Sequence, residues 1–421
     1  MSNTPKVRFK GFGEEWERRR LGEHIKEYHE TTTVNNQYPV LTSSRKGIFL
    51  QTKYFAGNQV ASEDNTGYNI VPYGYFTYRH MSDDEIFYFN INDIIENGIV
   101  STLYPVFTTT ENLDSRYLQY QLNHGYEFAK FAVLQKQGGS RTYMYINKLK
   151  QLYLTMPKSV EEQRKISSYF MIFDNLITLY QRRCDETKEL KNYMLQKLFP
   201  QNGKKIPEIR FSGFTGDWEQ KKLGEVFCSL QNNTLSRADL SIEQGEAKNI
   251  HYGDILVKFG EVLDIGKEHL PMVTDGSIIA KYKASFLQNG DIVVADTAED
   301  ETVGKCSEIA GLNQEIVIAG LHTIPYRPLI HFASGYLGYF MNSSAYHRQL
   351  LPLMQGIKVT SISKSAMQDT DIMYPESQDE QAKIGAYFTN LDHLITLHQR
   401  KCNELKDLKK FMLQNMFPQK G

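Results

Sequence analysis

Asp296, Glu299, Asp300, Glu301 and Lys305 crowd into "ADTAEDETVGK", and acids with a lysine at that density are what a metal-dependent nuclease uses to hold its cation and activate water. The same run also reads as a solvated loop or a protein-contact face, because the first half of the chain offers no counterpart to it. "GEVLDIGKE" has the glycines and lysine of a phosphate loop, but five residues separate Gly260 from Gly266, and Glu268 stands where Ser or Thr must hold Mg²⁺. The chain has no Asn-Pro-Pro-aromatic motif of an amino-methyltransferase, no HExxH and no GxSxG. Cys184, Cys228, Cys306 and Cys402 form neither a CxxC pair nor a Cys/His set at metal-ligand spacing, so they read as buried or half-buried thiols. Read this way, the chain carries no catalytic constellation.

The elements that would position such residues are bounded by composition. With 421 residues, 41% hydrophobic and 12% aromatic, the chain is long enough for two or three ordinary domains. Its 48 basic residues are balanced by 49 acidic ones, and residues 206 to 375 hold 14 basic against 21 acidic. A nucleic-acid site must therefore be a local patch rather than a wholly basic face. No apolar stretch approaches the ~20 residues that span a bilayer, and "MSNTPKVRF" lacks the apolar core of a secretory signal. A cytoplasmic location, away from any membrane, is the expectation.

Two internal repeats set the architecture. "SSYFMIFDNLITLYQRRCDETKELKNYMLQKLFPQ" from Ser167 returns as "GAYFTNLDHLITLHQRKCNELKDLKKFMLQNMFPQ" from Gly385, an offset of 218. "RFKGFGEEWERRRLGE" from Arg8 returns as "RFSGFTGDWEQKKLGE" from Arg210, an offset of 202. The unlike stretches between them thus differ in length by 16 residues, the pattern of a tandem duplication that keeps a frame and varies an insert. Ser159 with Glu162, and Ser377 with Glu380, predict a capping box at the start of each repeated helix, and the proline of each "FPQ" ends it. From Ser159 to Phe199 such a helix would be roughly 60 Å long at ~1.5 Å per residue. Its apolar stripe runs Ile166, Phe170, Phe173, Ile177, Tyr180, Cys184, Thr187, Leu190, Met194, Leu198. The second copy runs Ile384, Phe388, Leu391, Ile395, His398, Cys402, Leu405, Leu408, Met412, Met416. Steps of three and four make a coiled-coil seam, so the two helices are expected to pack on each other, antiparallel and about a pseudo-two-fold axis.

The inserts, residues 38 to 156 and 245 to 374, are rich in β-formers punctuated by glycine. "GYNIVPYGYFTYR", "ENGIVSTLYPVF", "HYGDILVKFGEVLDIG" and "LQNGDIVVAD" read as strands, and "SRYLQYQLNHGYEFAKFAVLQ" and "ASGYLGYFMNSSAYHRQLLPLMQ" as one amphipathic helix each. Each insert closes on a polar glycine loop, "KQGGSRTYMYI" or "MQGIKVTSISK". The fold class expected is α+β: two tandem α+β domains of one topology over 1 to 157 and 206 to 375, each followed by a long helix, over 158 to 205 and 376 to 421.

The "EEQRKI"/"DEQAKI" helix starts, "LITLxQR", "LQKLFP"/"LQNMFP", "WExxxLGE" and "QGIKVTSISK" together resemble the specificity subunit of type I restriction-modification enzymes, over essentially the whole chain. That resemblance implies two target recognition domains, each reading one half of a split double-stranded DNA sequence, with the paired helices as a spacer between them. It also implies two docked methyltransferase subunits, and restriction subunits that translocate and cleave. The S-adenosylmethionine, ATP and Mg would then belong to those partners, with no cofactor, metal or catalytic residue in this chain. Base readout needs donors and acceptors that reach base edges, with cations and hydroxyls on phosphates. On that footing the DNA-binding candidates of the first insert are Ser44, Arg45, Lys46, Arg79, His80, Arg141 and Tyr143, with the glycines beside Arg141 allowing close approach. Those of the second are Lys258, Thr297, Lys305, Lys358, Thr360 and Ser361. A coiled-coil adaptor that binds only proteins, or an enzyme with an unrecognised site, are the alternative readings.

Overall fold

The computed structural model describes residues 4–57, 61–136, 140–356 and 358–418. The chain divides into two compact units, Met1–Tyr180 with Arg400–Gly421, and Gln181–Gln399. Two helices, Val160–Lys197 and Gln378–Met416, each contribute one half to each unit.

Each unit has a neck in which the chain leaves the frame and returns. In the first, Glu17–Arg20 pairs antiparallel with Tyr153–Met156; in the second, Glu219–Lys222 pairs antiparallel with Asp371–Tyr374. Beyond the neck lies a sheet of shared strand order. In the first unit, strand Ile25–Tyr28 lies beside Val106–Thr109, then Phe76–Thr77, then Asn90–Ile91. In the second, Phe227–Ser229 lies beside Thr323–Pro328, then Ile292–Ala295, then Cys306–Ala310. The second unit adds Val262–Asp264 parallel to that last strand, together with a separate three-stranded sheet. The inserts therefore share one topology, as their sequence pattern implies, but their sheets begin at Ile25 and Phe227, ahead of the boundaries at 38 and 245.

Three local expectations are corrected. Residues Tyr252–Val257 of "HYGDILVKFG" form a short helix rather than a strand, because the ring Nδ1 of His251 accepts the Gly253 N–H at 3.2 Å and caps it. The insert helices are broken in two, at Gly125 and at Ser343. At Gly125 a Cβ would lie 2.4 Å from the Gln121 carbonyl oxygen, so the chain turns there with glycine alone.

At both long-helix starts the serine hydroxyl accepts the expected backbone N–H, Ser159 from Glu162 at 3.4 Å and Ser377 from Glu380 at 3.3 Å. The glutamate carboxylates do not complete the box. Glu162 accepts both arms of Arg8 at 2.6 and 2.8 Å, and Glu380 accepts Arg210 at 2.7 and 2.8 Å. The "RF" repeat thus clamps the start of each long helix at "EEQ" or "DEQ". Both carboxylates are buried, which makes the bidentate geometry necessary.

Within each unit the halves of the two long helices run antiparallel. In the first, Phe170 stacks on Phe417 with ring centroids 5.9 Å apart, Cys402 Sγ donates to the Ile177 carbonyl at 3.8 Å, and Lys409 pairs with Asp174. In the second, Phe199 stacks on Phe388 at 5.9 Å, Cys184 Sγ donates to the Ile395 carbonyl at 3.9 Å, and Lys191 pairs with Asp392 at 2.6 Å. The stripe departs from its expected course at one place in each copy. Leu190 and Leu408 are exposed, and the inward positions are taken by Lys191 and Lys409, only 11% and 15% exposed. Each ammonium lies over a tyrosine ring, Tyr339 or Tyr120, whose hydroxyl donates to the same aspartate.

Glu162→Ala leaves the Arg8 guanidinium half-buried without a partner and is expected to lower stability by about 3 kcal/mol. Glu161→Ala, on the exposed face of the same turn, should change it by less than about 0.5 kcal/mol. Urea unfolding of the full chain measures both, and equal midpoints would contradict the clamp.

Candidate nucleic-acid interface

In the first unit the sheet core aims a strand outward. Phe76 stacks on Phe107 at 4.7 Å, and the Tyr78 hydroxyl donates to the Met144 carbonyl at 2.8 Å, so the segment that follows is fixed against the end of the glycine loop. There Met81–Ser82 pairs antiparallel with Thr142–Tyr143, and the Met144 N–H donates to the His80 carbonyl at 2.7 Å. The hairpin Leu41–Ser44 with Gly47–Leu50 presents Arg45 and Lys46 in its turn, closed by Gly47 at φ 119°. Asn90 ties the hairpin to the sheet through the Ser43 hydroxyl at 2.8 Å and the Ser44 carbonyl at 2.9 Å.

This construction brings Ser44, Arg45, Lys46 and Arg79 to one cleft of about 470 Å³, whose lining includes Asp83. Arg141 reaches the same place, its Nε donating to Asp83 at 2.9 Å. His80 is buried with its ring 5.0 Å from that of Tyr145, and Tyr143 stacks on Tyr145 at 5.8 Å with planes 10° apart. Gly138 and Gly139 lie outside the described residues.

The second unit repeats the pairing. Thr297–Ala298 pairs antiparallel with Thr360–Ser361, and the Ile362 N–H donates to the Asp296 carbonyl at 2.9 Å. Thr297, Thr360 and Ser361 therefore share one strand pair, with exposed Lys358 just before it; Ile357 lies outside the described residues. Gly356, at φ 114°, admits no other residue, since a Cβ would meet the Val359 carbonyl oxygen at 2.0 Å. Lys258 and Lys305 point elsewhere. Lys258 donates to the His269 carbonyl at 2.8 Å, and Lys305 turns inward to the Leu256 carbonyl at 3.0 Å, where burial lowers its pKa.

Matching these strand pairs overturns one sequence expectation. Ser82 and Ala298 face Thr142 and Thr360, so Asp83–Asp84–Glu85 occupies the place of Glu299–Asp300–Glu301. The acidic run does have a counterpart, hidden because the strands before it differ in sequence. In the second unit Asp300 accepts from the Thr302 N–H at 2.9 Å and Asp296 from the Thr297 hydroxyl at 2.7 Å. Among the described residues no group of three His, Cys, Asp or Glu is placed to hold a metal ion. Tyr145, half exposed in the aromatic stack, joins the candidates here. Its signal was the alternation in "TYMYI", which puts Tyr143 and Tyr145 on one face.

A family model described as the type I restriction modification DNA specificity domain matches residues 215–407. The MjaVIII type I restriction enzyme specificity subunit of Methanocaldococcus jannaschii is 23% identical over 326 residues, 75% of this chain and 72% of that protein. A putative MjaX specificity subunit of the same organism is 21% identical over 429 residues, 97% of this chain and 94% of that one. The chain matches the type I restriction-modification specificity-subunit family. The crystal structure of such an S subunit from M. genitalium shares the fold, with a TM-score of 0.57 at 13% identity over 99% of this chain and 100% of that one. The specificity-domain match begins just before the second neck and ends in the second long helix; the first copy of the frame is its internal repeat. Among the described residues no helix is long and apolar enough to cross a membrane.

Proposed function

We propose that this chain is the non-catalytic DNA-reading subunit of a type I restriction-modification assembly, each unit reading one half of a two-part target. What carries this reading is one frame written twice around inserts of equal strand order and unequal surface, a plan that suits two separate readings on one support. The strand pair and the glycine loop of each insert, joined in the first by the hairpin that carries Arg45 and Lys46, supply the contacts to bases and phosphates, and the length of the paired helices sets the gap between the half-sites. Two methyltransferase subunits dock on the chain and restriction subunits join them, in the cytoplasm. Methyl donor, ATP and Mg serve those partners. The recognition domains are residues 1 to 157 and 206 to 375, and the spacer helices 158 to 205 and 376 to 421.

A mobility-shift assay of the chain with its methyltransferase partner should show retention of duplexes that carry the methylated target over scrambled ones. The chain purified without partners should transfer no methyl group to DNA. Binding without sequence preference would favour the adaptor reading, and methyl transfer by the chain alone would make it an enzyme.

Arg141→Ala should relax discrimination at one position of the first half-site, by ~1 to 3 kcal/mol for a bidentate base contact. Were the contact to phosphate, affinity would instead fall evenly across sequences and the salt slope would shrink by about one. Binding isotherms at several salt concentrations, on the target and its single-base variants, separate the two. Unchanged affinity and slope would remove Arg141 from the interface.

A further inference from the structure

Arg45, in the hairpin turn, and Arg141, just before the strand Thr142–Tyr143, end on one short run of acids of the first unit. Arg141 donates through Nε to Asp83, Arg45 through Nη2 to Asp84, and Lys136 reaches Glu85. Asp84 is itself held in place. The buried Ser82 donates its hydroxyl to the same carboxylate oxygen at 2.8 Å, and the Ile86 N–H donates to it at 3.3 Å. Glu85 closes the turn at φ 61°, a left-handed conformation that residues with side chains rarely adopt.

Stability does not explain this arrangement. Arg45 is 54% exposed and Arg141 51%, and ion pairs so open to water add little to folding. Orientation does explain it. With Nε spent on Asp83, both terminal nitrogens of Arg141 remain available, and they are two donors that match guanine O6 and N7; Arg45 gives Asp84 one Nη2 hydrogen and keeps Nη1 and the second Nη2 hydrogen for such a pair. A guanidinium already held in place loses less freedom on binding. The carboxylate also cancels the net charge that would draw a bare arginine to any phosphate, whereas a guanine edge is neutral and needs only directed donors.

We propose that Asp83 and Asp84 are positioning residues that aim Arg141 and Arg45 at guanine edges of the first half-site and away from the phosphate backbone. The proposal rests on the chain being the DNA-reading subunit. It applies to one half-site only: the matching run Glu299–Asp300–Glu301 holds no arginine among the described residues.

The test uses the full chain assembled with its methyltransferase subunits, on duplexes carrying the methylated target and every single-base variant of both halves. Asp83→Asn and Asp84→Asn should each lose about tenfold of the preference for guanine at the position where Arg141→Ala or Arg45→Ala acts. The second half-site should be read as before, and binding to unrelated DNA should rise with a steeper salt dependence. Asp84→Glu, which keeps the charge, should retain more of the preference than Asp84→Asn. Unchanged discrimination in both Asn variants would overturn the proposal, as would a first half-site with no G·C pair. An even loss of affinity at all positions would also overturn it. A wild-type chain that shows no preference among the duplexes would instead refute the DNA-reading assignment itself.

Discussion

Lys191 and Lys409 sit where each long helix would be expected to bury an apolar side chain, and the structure around them follows from that. A nearly buried ammonium needs a carboxylate, and each one finds it on the other helix, Asp392 for Lys191 and Asp174 for Lys409. Sliding one helix past the other by a turn would part each lysine from the aspartate that compensates its charge. A polar residue in a seam thus fixes register at some cost in stability. The tyrosines that share these aspartates, Tyr120 and Tyr339, belong to the insert helices. The same lock therefore ties each insert to the seam.

Much of this was legible in the sequence. The pairing of the helices follows from the apolar stripe, their ends from Ser159, Ser377 and the proline of each "FPQ", their antiparallel direction from the duplication, and the common insert topology from β-rich runs closed by glycine loops. What was not legible depends on contacts between residues distant in the chain. Glu162 looks like half of a capping box until Arg8 is seen to take it. Leu190 looks like seam because leucine fits the period, yet the helix turns Lys191 inward to reach Asp392 and Glu261. The "YGDILV" run has strand composition, and a single ring nitrogen of His251 makes it a helix.

The candidate site was read less completely, for a related reason. Single cations and hydroxyls can be picked from a sequence, and Ser44, Arg45, Lys46 and Arg79 do meet at one cleft. In the sequence Asp83 and Asp84 are only charges, and nothing local links them to Arg141 and Arg45, which lie 58 and 39 residues away. The charge of Lys305 suggests a phosphate contact, but its side chain follows the fold inward. The correspondence of the two acidic runs emerged only from the register of short strand pairs, which no local pattern encodes.

The necks define where one reading module ends. Leu223 N donates to the Thr370 carbonyl at 2.8 Å, and Leu21 N to the Leu152 carbonyl at 2.8 Å, so everything beyond these contacts belongs to an insert. The central claim is that the frame is common and the bases are read by the inserts separately. It is tested most directly by replacing residues 223–370 with the matching segment of a relative and mapping methylated positions across a genome. The account predicts that one half of the methylated sequence changes while the other half is kept. Replacement of both halves, or of neither, in an active assembly would contradict it.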